Sequence, residues 1–468
     1  MKKTFREYAP DQQLLLPPSL RDWLPENHLA LLVSEVVDAL DLSAIFAVYE
    51  RGDGRGMPPY HPKVMVKLLV YAYCTGRPSS RKIERATYDE VPYRVLAANQ
   101  HPDHDSISSF RKRHLQALAG LFVQVLEMAK QMGLVKLGHV ALDGTKIKAN
   151  ASKHKAMSYQ RMTEAEQRLD QEVKALLAAA EQADAEDDAK HGKGKRGDEL
   201  PQELQFKQAR LEKIREAKAA LEQRAKERAQ AEAAEVQRKL DERAAKQAET
   251  GKKAGGREPQ VPDPQEAKPE PKEQRNFTDP DSRIMVDGAS KGFEQCYNAQ
   301  AAVDGAHQII VAADITQQAN DKRQLVPMMQ HVLNNMGQLP EKVSADSGYF
   351  SEEAVTHPHL APVDLHVPPD RHKHGRALAN PTGDAATLST ADKMRSKLAE
   401  SAGHAVYRMR KAIVEPVFGQ IKQARGFRRF SLRGLANVSA EWLLMCATHN
   451  LLKIFRSGRP LPHRLQAA

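Results

Sequence analysis

Cysteine is scarce in this chain: Cys74, Cys296 and Cys446 are the only three in 468 residues. They are far apart and odd in number. That excludes a disulfide framework or a zinc-ligand set and leaves three small residues for burial in a reduced compartment. Long apolar runs are also missing. No stretch approaches the ~18 apolar residues of a membrane span, and Met1-Lys2-Lys3-Thr4-Phe5-Arg6 turns polar at once, without the apolar core of a signal peptide. The expectation is a cytoplasmic, nucleoid-associated protein with no membrane partner. Acidic residues fall short of basic ones, 60 against 70, for a formal net charge of +10. With a pI near 9.3, that excess points to a polyanion, and nucleic acid is the commonest one.

What is present divides into three parts. Residues 1–132 read as helical: Leu29 to Leu40 and Val64 to Ala72 carry apolar residues at helix spacing, and Pro62 suits a first helical turn. Asp105-Ser106 predicts the start of a further helix running to about Met132, with Arg111, Lys112 and Arg113 in its early turns. Residues 137–150 read as a strand bounded by turn residues. The stretch 153–275 differs in kind. Its first part is Ala, Glu, Lys, Gln and Arg, with a coiled-coil seam at Met162, Leu169, Val173, Leu176 and Ala180. Gly192 to Gly197 break it, and a weaker seam follows at Leu204, Leu211, Ile214 and Leu221. An antiparallel helical hairpin is expected, as a dimerisation arm or a spacer, with 251–273 as a flexible linker.

Strand patterns then resume at Tyr297–Val303 and Gln308–Ala313, with Asp304-Gly305 as the turn between them. A helix is predicted at about Lys322–Met336, strands at Lys342–Asp346 and Asp364–Val367, and helices from about Asp392 to Phe455. The hairpin block therefore reads as an insertion into one α/β domain, 133–152 with 276–468.

Three acids stand out by position. Asp143 ends one strand pattern before Gly144, Asp346 ends another before Ser347-Gly348, and Glu415 lies in the helical run Val414-Glu415-Pro416-Val417. Acids at strand ends face the crevice where sheet sites form, and an oxygen-only cage selects hard cations such as Mg²⁺ or Mn²⁺. Two such ions about 4 Å apart can serve both oxygens of an in-line phosphoryl transfer. From Tyr407 to Arg433 eight cations, Lys411, Lys422, Arg425, Arg428 and Arg429 among them, surround the single acid Glu415. That pattern suits phosphate around a metal ligand. The histidines His357, His359, His366, His372 and His374 fit no zinc spacing and read as loop residues.

Five ordered segments resemble a known family, the bacterial insertion-sequence DDE transposases. They are Tyr60-His61-Pro62 through Arg111, "HVALDGTKIKANAS" at 139–152, "NFTDPDSRIMVDGASKGFEQCYNAQAAVD" at 276–304, "ADSGYFS" at 345–351 and "YRMRKAIVEPVFGQIK" at 407–422. The resemblance implies an all-α N-terminal DNA-binding domain and an RNase H-like mixed five-stranded sheet with flanking helices. It makes Asp143, Asp346 and Glu415 the catalytic and metal-holding residues. A signature of such enzymes, Tyr-x₂-Arg-x₃-Glu-x₆-Lys, is met by Tyr407, Arg410, Glu415 and Lys422, with the Arg–Glu interval one residue longer. Arg410 and Lys411 therefore both stand for its basic member, which in the family contacts DNA-end phosphates. The expected activity is metal-dependent cleavage of element ends and transfer of 3′-OH ends into target DNA, by a homodimer. The alternatives are a related nuclease without strand transfer and a non-catalytic DNA-binding derivative.

Overall fold

The computed structural model describes residues 19–50, 58–191, 202–250, 259–287, 291–371 and 388–462. In chain order the elements are α1 (Leu29–Ala39), α2 (Ser43–Glu50), α3 (Pro62–Cys74), α4 (Ser80–Asp89), α5 (Val91–Leu96), α6 (His104–Arg113), α7 (Leu115–Gln131), β1 (His139–Lys148), β2 (Ala156–Ser158), α8 (Tyr159–His191) and α9 (Gln202–Thr250). After these come β3 (Gln274–Asn276), β4 (Arg283–Val286), β5 (Phe293–Asp304), β6 (Ile310–Thr316), α10 (Leu325–Met336), β7 (Lys342–Ser344), α11 (Glu352–Val355), β8 (Asp364–His366), α12 (Thr390–Ala399), α13 (Ser401–Gly419) and α14 (Leu435–Ser457). The chain divides into two compact units, Met1–Ile147 with Asn298–Ala468, and Lys148–Tyr297.

In the first unit the N-terminal helices form where apolar spacing and caps agree. Pro62 opens α3, and His61 caps it by accepting from the Lys63 amide at 3.2 Å. The single helix expected from 105 to 132 is in fact two. Asp103 caps α6 through the Ser106 amide, and the chain leaves helical geometry at His114 before α7 begins. Arg111, Lys112 and Arg113 thus occupy the last turn of a short helix, where cations complement the helix dipole.

Five strands of this unit lie in the order β6-β5-β1-β7-β8. β5 and β6 are antiparallel with a bulge at Ala302/Val303, while β1–β7 and β7–β8 are parallel. The sheet is mixed, and β5 is buried almost throughout, as expected of strands covered on both faces. Its small side chains, Ala299, Ala301 and Ala302, let neighbours approach closely. α10 and α14 cover β6. β6 stands at the sheet edge, and Asn450 of α14 occupies both backbone groups of its Ile310: the amide donates to Oδ1 at 2.8 Å and Nδ2 donates to the carbonyl at 2.9 Å. An edge bonded by a side chain offers less for another strand to pair with. α14 packs against α7 and α3 as well as β6, which explains its near-continuous burial.

In the second unit, α8 and α9 pack against each other, and Met162, Leu169 and Val173 bury against Leu204, Leu211, Ile214 and Leu221. Ala180 lies outside the residues whose side chains are described. Arg215 bridges Glu166 and Asp170 across the pair. At its base β2 and β3 pair antiparallel, and β4 pairs with the start of β5. The stretch read as a flexible linker is, over 259–273, fixed to this base. Pro269 is buried, Glu273 accepts from Arg228 at 2.5 Å, and the Tyr159 amide donates to the Glu273 carbonyl at 2.8 Å. Composition alone missed these anchors; residues 251–258 lie outside the described chain. No helix among the described residues is long and apolar enough to cross a membrane.

Candidate active site

The register of β1 on β7 is set by His139 opposite Lys342, Val140 opposite Val343 and Ala141 opposite Ser344. Asp143 lies two residues further along β1, inside the strand rather than at its end as expected, and Asp346 lies two residues past the last residue of β7. Asp143 accepts from Arg410 at 2.7 Å on Oδ2 and from the Gly144 amide at 2.8 Å on Oδ1. Burial pushes its carboxyl up to about 6; Arg410 opposes that, and the charge of Asp346 adds to it. Asp346 caps the 3-10 turn Ser347–Tyr349, accepting from the Gly348 amide at 2.8 Å. Tyr349 is fully buried, and its hydroxyl donates to Gln300 Oε1. Burial and the charges of Asp321, Asp143 and Asp346 hold that hydroxyl protonated, well above its usual range.

Two glycines clear this space. A Cβ on Gly144 would lie 2.8 Å from Asp321 Oδ1 and 2.9 Å from Asn298 Oδ1, and one on Gly348 would lie 2.9 Å from Asp346 Oδ1. Asp321 belongs here too, although an Asp ahead of a helix reads in sequence as an ordinary cap. Nothing local in Asn320-Asp321-Lys322 marks it for the site.

α13 runs past the aspartates. Arg410, near its middle, reaches Asp143 and lies 5.9 Å from the Tyr407 ring. Twelve residues on, Lys422 donates at 3.0 Å to both Thr145 Oγ1 and the Lys146 carbonyl on β1. Glu415 falls between these two contacts in sequence, exposed, seven residues or about two turns before Lys422. Pro416 cannot donate to the carbonyl four residues back; Gln308 Nε2 donates to that Ala412 carbonyl instead, at 2.9 Å. The helix then widens into a π-turn over Gln420–Ala424, a form that recurs at functional sites. Gly426, at φ +76°, ends it in the left-handed region that favours glycine.

The basic residues separate by burial. Arg425 is buried, donating to Thr448 Oγ1 at 2.8 Å and the Met445 carbonyl at 3.1 Å, with the Phe427 ring 5.2 Å away. Arg111 is buried, donating to the Pro78 carbonyl at 2.6 Å. Arg410 is buried against Asp143. Those three are buried, each donating to another group of the protein. Lys411, Arg428, Arg429, Lys112 and Arg113 are exposed, while Tyr407 and Lys422 are half-buried. Of the histidines, His366 is buried against Asp364 at 3.0 Å and His357 caps a 3-10 turn by accepting from the His359 amide; His372 and His374 lie outside the described residues.

Among the described residues, no three His, Cys, Asp or Glu side chains converge closely enough to hold a metal ion. Arg410 occupies one oxygen of Asp143, and Glu415 is exposed. The donor chemistry nonetheless fits a hard divalent cation. The pair is oxygen-only, and burial and mutual repulsion leave Asp143 short of positive compensation.

With that geometry in hand, the class of the protein is indicated by two matching family models, both of them transposase domains. A transposase domain (DUF772) covers residues 18–113, and a transposase DDE domain covers residues 371–455. An N-terminal domain of the one kind and a C-terminal domain of the other match an insertion-sequence DDE transposase, in agreement with the resemblance read from the sequence. No curated protein and no solved structure matches the chain.

Proposed function

We propose that this chain cuts the ends of an insertion sequence and joins the resulting 3′-OH ends to target DNA, with Asp143, Asp346 and Glu415 as its catalytic acids. The observation that supports the reading is that Asp143, on β1, and Asp346, just past the end of β7, belong to adjacent parallel strands, and that Arg410 of α13, the helix bearing Glu415, bonds Asp143. The reading takes the sheet as RNase H-like. Counting only the strands of the first unit, the order is 3-2-1-4-5, with the acids on strand 1, just after strand 4 and on a helix after strand 5. It takes 1–132 as the DNA-binding domain, 133–152 with 276–468 as the catalytic domain and 153–275 as the insert. The DNA partners are the element ends and the target, and a homodimer would bring two ends together.

Asp143 and Asp346 would hold Mg²⁺ or Mn²⁺, with Glu415 completing the oxygen set. Two such ions, when bound, supply charge neutralisation at the attacking and leaving oxygens of the phosphodiester. Arg410 orients the Asp143 carboxylate, and Lys422 fixes α13 against β1. Lys411, Arg428 and Arg429 present charge to the DNA backbone, which gives affinity more than sequence choice.

Asp143→Asn, Asp346→Asn and Glu415→Gln are each expected to abolish cleavage of a plasmid carrying the DNA that flanks the coding sequence, while DNA binding persists. Near-wild-type cleavage by any one of them would remove that residue from the site. Cleavage without any joined product would make the chain a nuclease.

A further inference from the structure

Asp321 lies in the segment between β6 and α10, and its side chain is about four-fifths buried. One of its oxygens, Oδ1, accepts from Asn298 Nδ2 at 2.6 Å and Gln300 Nε2 at 2.7 Å, with Lys146 Nζ at 3.9 Å. The chemistry of those partners fixes a direction. An ionised carboxylate can only accept, so Gln300 must turn its amide nitrogen toward Asp321. Its carbonyl oxygen then faces the other way, onto the Tyr349 hydroxyl, which must donate. The backbone of Gln300 is held separately, its carbonyl accepting from Trp442 Nε1 at 3.0 Å. Tyr349 closes the 3-10 turn that Asp346 caps. The same cluster abuts Gly144, next to Asp143, where any side chain would collide with Gln300 and Asp321.

We propose that Asp321 is a positioning residue: by fixing the sense of the Gln300 amide it anchors Tyr349, and with it the Asp346 turn, against β1. The catalytic consequence rests on the function proposed above; the anchoring does not. A carboxamide at 321 keeps an oxygen where Oδ1 stands, whereas alanine removes the acceptor and frees the Gln300 amide to flip.

The test uses the full-length protein and two readouts. The first is amide exchange of Gly348, Tyr349 and Phe350, which needs no DNA. Asp321→Ala is expected to speed it by about tenfold, the scale of one lost hydrogen bond, and Asp321→Asn is expected to return it close to wild type. The second is cleavage of plasmid DNA carrying the sequences that flank the gene. There Asp321→Ala should lower kcat with KM unchanged, and Asp321→Asn should recover most of the loss. If Asp321→Ala fails to fold, Tyr349→Phe should speed the same amides and lower kcat without changing KM. Unchanged exchange in Asp321→Ala, or in Tyr349→Phe, would overturn the anchoring. An Asp321→Asn variant as impaired as Asp321→Ala would overturn it too, because charge and not the acceptor would then matter. If the wild-type protein cuts no DNA, the proposed function falls while the exchange result still decides the role of Asp321.

Discussion

Arg425 and Arg429 stand four residues apart and meet opposite fates. Arg429 is exposed, whereas Arg425 is enclosed among Tyr73, Met445 and Thr448. Burial alone draws the Arg425 guanidinium down to about 10. In a salt titration of DNA binding, Arg429→Ala and Lys411→Ala should each flatten the log–log slope by about one unit. Arg425→Ala should leave the slope alone and lower the melting temperature instead. A slope lost with Arg425 would mean that the segment opens to bind DNA. A second residue-scale consequence comes from His449. It is buried between the Gln420 side-chain amide at 2.7 Å and the Gln308 carbonyl at 3.0 Å, and burial, with Arg425, Lys453 and Arg456 nearby, draws its pKa down to about 3 from 6.5. The folded form resists the proton that the unfolded chain accepts. The stability contributed by neutral His449 is therefore complete above pH 6.5 and falls as pH drops toward 3, at no more than about 1.4 kcal/mol per pH unit. His449→Gln should flatten the acid limb of the melting temperature against pH. An identical limb in the variant would assign the acid loss to other groups.

Among the elements, the hairpin of α8 and α9 was legible because a seam is a local pattern. Leu169, Val173, Leu211 and Ile214 announce by spacing alone which face of each helix is buried. Ile214→Asp puts an unpaired carboxylate into that seam, at a cost of roughly several kcal/mol. It should lower the temperature at which part of the helical circular dichroism is lost, with the remainder melting as before. A single unshifted transition would show the seam to be dispensable. The break between α6 and α7 was not legible, since Leu115 to Ala129 and Ile107 to Phe110 can be read as one continuing apolar face. His114 stops the helix while stacked on Tyr49 and packed on Phe110, contacts that no window of sequence displays. Residues 259–273 misled for the matching reason: Pro, Lys and Glu describe a solvated segment until Arg224 and Arg228 are known to meet Glu273.

At the scale of the molecule, α14 joins what the sequence divides. The expected boundary at 132 separates N-terminal helices from the sheet, yet α7, α3 and β6 all pack on α14. Trp442, buried in α14, donates to the Gln300 carbonyl of β5. Trp442→Ala should cost about 3–5 kcal/mol and weaken exchange protection in α7 and β6 together. Loss in β6 with α7 unchanged would restore two independently stable parts. What the sequence determined by itself was local: where most helices and strands fall, the seam of the hairpin, and the placing of Asp346 just past a strand, whereas Asp143, read as a strand end, sits inside β1. Each of these follows from the period of a few neighbouring residues and the turn chemistry that ends them. What only the tertiary structure decided was which arginines are committed inside the protein and that Asp321 joins the site. Burial and hydrogen-bond partners come from residues tens to hundreds of positions away, and no local period encodes them.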